Sequence, residues 1–177
     1  VPHNVLNALA AAGIARAADI ELTDIRNSIT IFRPGRHRIE IVLEKDGISW
    51  VNDSKATNPH AALASILACN RAIWIAGGLA KGASMTELVA RAKPRIKHAL
   101  LIGTDRELIA TELKKHGLTF DYIDGESVMA KAISRALELA TEGDTVLLAP
   151  ACASMDQFNS YADRGDQFVA QVNEQVK

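Results

Sequence analysis

From about residue 60 onward, short apolar runs alternate with longer segments in which apolar residues recur every three or four positions. The short runs have the length of buried strands, and the longer segments have the period of helices. We predict strands at residues 72–76, 99–102, 120–123 and 146–149, and helices at residues 60–69, 85–92, 106–116, 128–140 and 163–175. This alternation favours right-handed crossovers and a sheet covered on both faces. The predicted fold class is therefore α/β, with a doubly wound, mainly parallel, Rossmann-like sheet.

The first part of the chain shows two different periods. Residues 3–18 carry apolar side chains at helical spacing among many alanines, which predicts a helix. From Ile29 to Leu43 apolar and polar residues alternate, and a turn sequence at residues 45–47 leads into a second apolar run at residues 48–51. We therefore expect strands from Ile29 onward and an antiparallel hairpin at the edge of the sheet.

One domain boundary is predicted, in the weakly patterned passage at residues 19–27. It divides the chain into a helical remnant of another domain at residues 1–27 and a main domain at residues 28–177. The chain has 48% apolar and 23% charged residues, as folded soluble proteins do. Its 20 basic and 21 acidic residues nearly cancel, so neither nucleic acid nor a membrane is an expected partner. The two cysteines and the lack of a spanning or signal segment favour the cytoplasm.

Ligands of a parallel sheet bind where the carboxyl ends of its strands meet, and three loops there have unusual compositions. The first, NDSKATNP at residues 52–59, places Asp53 and Lys55 beside the start of a helix. A cation next to a helix N-terminus suits a carboxylate or phosphate. The alternative is purely local, because Thr57 or Asn58 ahead of Pro59 would also cap a helix.

The second loop, GGLAKG at residues 77–82, follows the most apolar strand. It fits neither the Walker pattern nor the dinucleotide-binding pattern. Lys81 could still make a point-charge contact with an anion that approaches the glycine backbone. The alternative is an ordinary tight turn between a strand and a helix.

The third loop, PACASMDQF at residues 150–158, holds Cys152 and Ser154. No histidine stands near Cys152, so we read it as a small buried residue, and Ser154 as a hydroxyl donor or a helix cap. The RGD triplet that begins at Arg164 is read as chance sequence with local ion pairing. Arg38, at the entrance of a strand, could stack on or fork toward a nucleotide, or could pair with Glu40 on the surface.

The five histidines are scattered, and no metal site is expected within this chain. Taken in order, the motifs of the chain resemble those of the Mur ligase family, and the resemblance extends over essentially all 177 residues. The motifs are HN at residues 3–4 with Asn7, GRHRIE at 35–40, NDSKATNP at 52–59, GG at 77–78 with KG at 81–82, and APACASMDQF at 149–158 followed by RG at 164–165.

The resemblance implies part of an ATP-dependent peptide ligase that adds D-glutamate to UDP-N-acetylmuramoyl-L-alanine through an acyl phosphate, in peptidoglycan precursor synthesis. This chain would be the carboxyl-terminal, amino-acid-binding domain, preceded by the end of the ATP-binding central domain. The amino-terminal domain and most of the central domain are missing, with the phosphate loop and the main Mg²⁺ ligands, so we expect this chain alone to be inactive. A monomer is expected.

The resemblance also implies residue roles. Asn7, Arg38 and Asp53 would bind ATP, and no residue of this chain would be catalytic. The residues implied to bind D-glutamate are Thr57, Lys81, Ser154, Lys55 and Tyr161. Two alternatives stay open: a related Mur or folylpolyglutamate ligase for another amino acid, and a non-catalytic Rossmann-type ligand-binding module.

Overall fold

The computed structural model describes residues 2–32 and 35–177, with side chains from residue 5 onward. It divides into two compact units, at residues 1–36 and 37–177. The assignment of residues 1–27 to a separate domain stays a prediction.

The first unit contains two helices, α1 (Pro2–Ala17) and α2 (Leu22–Ile31). The expected strand start at Ile29 is therefore wrong. The two isoleucines at 29 and 31 alternate, but Ile25 and Ile29 are also one helical turn apart, and Ile25 is buried. Two alternating residues cannot distinguish a strand from a helix when the neighbouring residues continue a helical period.

The second unit is built on a six-stranded sheet with the order β1-β2-β6-β3-β4-β5. The strands are β1 (Glu40–Lys45), β2 (Ile48–Asn52), β3 (Ala72–Gly77), β4 (Ile96–Ile102), β5 (Phe120–Tyr122) and β6 (Thr145–Leu148). Only β1 and β2 pair antiparallel, and every other neighbouring pair is parallel. The predicted fold class and its antiparallel edge hairpin are thus confirmed.

Five helices cover this sheet: α3 (Pro59–Leu67), α4 (Thr86–Ala92), α5 (Arg106–Lys115), α6 (Val128–Leu139) and α7 (Tyr161–Gln175). Asn58 caps α3 by accepting a hydrogen bond from the Ala61 N–H at 2.9 Å, with Pro59 in the first turn. Ser160 caps α7 in the same way, through the Asp163 N–H. Within the described part of the chain, none of the helices combines the length and apolarity that crossing a bilayer requires.

The strands alternate their side chains between two apolar cores. Trp74 packs in one core with α3, α4 and α5, while its neighbours Ile73 and Ile75 pack in the other with α6 and α7. All three side chains are fully buried. Because both faces are closed in this way, a ligand can reach the sheet only at its edges.

Candidate active site

Backbone hydrogen bonds join the three unusual loops at the carboxyl edge of the parallel strands. The N–H of Ala151 donates to the carbonyl of Ala56 at 2.9 Å. Leu79 and Ala153 exchange a pair of hydrogen bonds, both 2.9 Å long. Thr57, Lys81 and Ser154 each lie one or two residues along the chain from a residue that makes one of these bonds. The structure thus brings together the loops that carry the implied D-glutamate residues.

The first loop presents a cation that is already in contact with an aromatic ring. The Nζ of Lys55 lies 3.7 Å from the ring centroid of Tyr161, at the start of α7. This contact restrains the half-buried lysine while its charge stays available. Thr57 is half-buried beside it, and the cap of α3 is Asn58, so Thr57 does not serve as the cap. The hydroxyl of Thr57 therefore does not cap α3.

The glycine loop holds Lys81 in a left-handed backbone conformation, with φ of +51°. Its side chain is exposed and makes no ion pair with any other residue the structure describes. The loop runs close to the next one, because a Cβ at Gly103 would collide with the backbone of Gly78. Glycine is therefore required where the two loops touch.

The third loop places Ser154 beneath the surface, with 3% of its area exposed. The interpretation of Ser154 as a helix cap is wrong, because α7 begins seven residues later and Ser160 caps it. Cys152 is fully buried, and burial raises the pKa of its thiol to about 12. The interpretation of Cys152 as a small buried residue is thus confirmed, and a thiol with a raised pKa is a weak nucleophile at neutral pH.

Sequence reasoning missed the arginine that lies under these loops. Arg164 is fully buried. Its Nε donates to the Ser54 hydroxyl and its Nη2 to the Ser54 carbonyl, both at 2.9 Å. Its Nη1 donates to the Cys152 carbonyl at 3.2 Å. The Ser54 hydroxyl in turn donates to the Tyr161 carbonyl at 2.7 Å. The expected local ion pairing of Arg164 is wrong, because its partners come from loops distant in sequence. Burial lowers its pKa to about 10, so it remains a cation.

A second buried polar group lies next to the residues implied to bind ATP. His37 is 4% exposed, its ring nitrogen Nδ1 lies 2.9 Å from the amide nitrogen of Asn52, and a Cβ at Gly165 would collide with the ring. Its carbonyl accepts from the Lys55 N–H at 3.1 Å. One signal for this packing is present in the sequence, because glycine at position 165 leaves room for the ring to approach α7.

The three residues implied to bind ATP occupy different settings. Arg38 is exposed, and within the described residues it forms no ion pair with Glu40. The carboxylate of Glu40 instead accepts a hydrogen bond from the His37 N–H at 3.0 Å. Asp53 is 6% exposed and accepts from the Ile39 N–H at 3.3 Å and from the Ser65 hydroxyl. Asn7 is exposed on α1, in the other unit. The side chains of the HN motif at residues 3–4 fall outside the described part.

Two concave regions flank the joined loops. One of about 340 Å³ is lined by Met155, Asp156, Gln157, Phe158, Asn159, Asp163 and Gln167. The other, of about 260 Å³, is lined by Asn58, Pro59, His60, Leu63, Ser84, Glu87 and Leu88. Neither is lined by the five residues implied to bind D-glutamate. In residues 5–32 and 35–177, no three His, Cys, Asp or Glu side chains are grouped to hold a metal ion.

Comparison with known proteins gives a consistent family. A protein-family model described as "Mur ligase, glutamate ligase domain" matches residues 37–152. The chain is 50% identical over 177 residues to the UDP-N-acetylmuramoylalanine--D-glutamate ligase of Streptomyces coelicolor, and 45% identical over 206 residues to that of Mycobacterium avium. These matches cover 98% and 99% of this chain but 38% and 42% of the two relatives. The chain therefore spans about two fifths of their length.

Solved structures resemble the fold at lower sequence identity. A UDP-N-acetylmuramate-alanine ligase from Thermotoga maritima matches with a TM-score of 0.68 and 16% identity, over 97% of this chain and 38% of that one. A pseudomurein peptide ligase type C from Methanothermus fervidus matches with a TM-score of 0.65 and 18% identity, over 98% and 36%. These likenesses show a shared fold.

Proposed function

The chain belongs to the Mur ligase family, and from that premise we propose that it supplies the D-glutamate-binding part, and some of the ATP site, of an ATP-dependent ligase. The ligase would join D-glutamate to UDP-N-acetylmuramoyl-L-alanine. The observation that carries the proposal is the backbone hydrogen bonding that joins the three loops, on which the two lysines and the two hydroxyl side chains stand. The names of relatives that are 45–50% identical favour D-glutamate over another amino acid.

The proposed site matches the chemistry of a dianionic amine. Lys55 and Lys81 would balance the two carboxylates, and the hydroxyls of Thr57 and Ser154 would donate hydrogen bonds to their oxygens. The ring of Tyr161 would close one wall and keep the ammonium of Lys55 in place. Held by both carboxylates, the substrate would leave its amine available to the acyl carbon of the other substrate.

The reaction needs positioning more than it needs an acid or base from this chain. ATP would transfer its γ-phosphoryl group to the terminal L-alanine carboxylate, which leaves ADP and an acyl phosphate. The D-glutamate amine would then attack the acyl carbon, lose a proton and expel phosphate from the tetrahedral intermediate. An amine fixed near the acyl carbon gains the advantage of an intramolecular reactant, and nearby cations offset the repulsion between anions.

The ATP side would use Arg38, Asp53 and Asn7, and the Mg²⁺ that accompanies ATP would take its ligands from outside this chain. Arg38 is exposed and ready to meet a nucleotide. Asp53 would act partly through Arg38, because its carboxylate holds the N–H of Ile39, the next residue. We further propose that the ligase acts in the cytoplasm as a monomer.

Lys81→Ala in the full-length ligase tests the D-glutamate site. Loss of a charged hydrogen-bond donor should raise the KM for D-glutamate by about tenfold or more and leave the KM for ATP unchanged. The matched control is Lys93→Ala, an exposed lysine just before the amino end of β4. Equal KM values for D-glutamate in the two variants would refute the proposed site.

Arg38→Ala tests the nucleotide contact separately. It should raise the KM for ATP and leave that for D-glutamate unchanged, because Arg38 lies on the loop ahead of β1 rather than on the three joined loops. Unaltered ATP binding would remove Arg38 from the proposal while leaving the D-glutamate site intact.

A further inference from the structure

The loop between β4 and α5, residues 103–105, touches both the glycine loop and the Ser154 loop. The carboxylate of Asp105 accepts from the Ala80 N–H at 2.8 Å, and the N–H of Asp105 donates to the Gly78 carbonyl at 3.0 Å. The N–H of Thr104 donates to the Asp156 carboxylate at 2.8 Å, across to the Ser154 loop. The backbone just before Lys81 is thus fixed at two points by one residue.

We propose that Asp105 is a positioning residue for Lys81 and thereby helps to set the affinity for D-glutamate. This inference rests on the function proposed above and names a further residue of the same site. Asp105 would not contact the substrate. It would act through the peptide that precedes Lys81.

The ordinary role of an aspartate at this place does not account for the contact. Asp105 stands at the N-cap position of α5, where such a side chain usually accepts a hydrogen bond from the first turn of the helix. Here the side chain makes no capping bond. Its carboxylate instead accepts a hydrogen bond from the Ala80 N–H, so it binds the glycine loop and not the first turn of α5.

Lys81 needs an external anchor because its own backbone does not favour the observed conformation. A lysine at φ of +51° is strained, and Gly82, with φ of +78°, follows it. The side chain of Lys81 is exposed and has no ionic partner within the described ranges. Without Asp105, the loop could relax to other backbone conformations, and the Lys81 backbone would no longer hold the ammonium in one position.

The experiment compares variants of the full-length ligase by steady-state kinetics. Asp105→Ala should raise the KM for D-glutamate about tenfold, the usual effect of losing one charge-assisted hydrogen bond, with kcat and the KM for ATP within about twofold. Asp105→Asn keeps an acceptor oxygen and should recover most of the affinity. The matched control is Asp124→Ala, which removes an exposed carboxylate paired with Arg106 and should leave all constants unchanged.

A double variant separates positioning from an independent effect. If Asp105 acts through Lys81, adding Asp105→Ala to Lys81→Ala should raise the KM for D-glutamate by less than twofold further. Amide hydrogen exchange in residues 78–82 should speed up in Asp105→Ala and not in Asp124→Ala.

The inference would be overturned by additive effects in the double variant, by unchanged exchange in residues 78–82, or by tighter D-glutamate binding in Asp105→Asn. The last would mean that the negative charge of Asp105 merely repels the substrate. If Lys81→Ala itself leaves the KM for D-glutamate unchanged, the proposed D-glutamate site fails together with the inference. If only Asp105→Ala has no effect, the proposed site stands and the inference alone fails.

Discussion

The two edges of the parallel sheet differ in whether a buried charge has an ionic partner. At the amino edge, the carboxylate of Asp144 is fully buried between Arg71 and Lys97, with Lys97 Nζ at 2.6 Å and the Thr141 N–H at 2.8 Å. At the carboxyl edge, the fully buried Arg164 has no carboxylate within ion-pair distance among the described residues and donates to carbonyls and a hydroxyl.

This difference supports the proposal that the carboxyl edge binds an anion. The charges at the amino edge are matched by partners in the same chain, so they serve the fold. At the carboxyl edge, Arg164, Lys55 and Lys81 contribute positive charge that no ion pair within the described ranges neutralises. The carboxylates of Asp105 and Asp156 at this edge accept from backbone N–H groups and form no ion pair within the described ranges, so a dianionic amino acid would be the ionic partner of the two lysines. Substitutions at the two edges should therefore have separable effects.

The largest effect is expected at the amino edge. Asp144→Ala should lower the free energy of unfolding by about 3 kcal/mol, because two cations and a backbone N–H lose a buried acceptor. Arg71 and Lys97 are partly exposed and can be rehydrated, which keeps the loss at the low end for a broken buried pair. Chemical denaturation measures it, with Asp124→Ala as the exposed control, expected within about 0.5 kcal/mol of the parent. A changed D-glutamate KM would show that the two edges are coupled.

Gly165→Ala should have the next largest effect, on the carboxyl edge. The added methyl would collide with the buried His37 ring, and the forced shift should cost about 2 kcal/mol of stability. The displaced ring also lies near Tyr161, with centroids 6.3 Å apart, so the D-glutamate KM should rise as well. The control is Gly13→Ala in α1, where a Cβ meets nothing within 4 Å and a helical alanine should be neutral or stabilising. An unaffected Gly165→Ala would mean that His37 moves freely.

A smaller effect should appear in acid. Burial alone would raise the pKa of Asp144, but hydrogen bonds from Lys97, Thr141 and Arg71 outweigh it, and the pKa lies below its usual value. A carboxyl whose folded pKa is depressed stabilises the protein above its unfolded pKa, near 4, and loses that contribution as the pH falls through the folded pKa. In urea denaturation, the free energy of unfolding should therefore fall more steeply between neutral pH and pH 3 for the parent than for Asp144→Asn. Parallel curves would contradict this account.

The sequence sufficed for the sheet but not for this contrast between its edges. Strands such as β3 and β6 were predictable because strands buried on both faces are continuous apolar runs. Arg164 could not be read as buried, because its partner Ser54 lies 110 residues away in the chain. Asp144 is likewise separated by 73 residues from Arg71. Local patterns predict elements, whereas the pairing of charges depends on how distant loops meet.

The smallest effect concerns the left-handed backbone conformation of Lys81. Both Lys81→Gly and Lys81→Ala remove the ammonium, but only glycine adopts φ of +51° without cost. Lys81→Gly should therefore be more stable than Lys81→Ala by about 1 kcal/mol, while both raise the D-glutamate KM similarly. Ser127, with φ of +55° at the start of α6, supplies the matched pair of substitutions away from the three loops. If glycine and alanine at position 81 are equally stable while those at position 127 differ, the left-handed conformation at Lys81 does not persist in solution. Asp105 would then have no strained backbone to hold at Lys81.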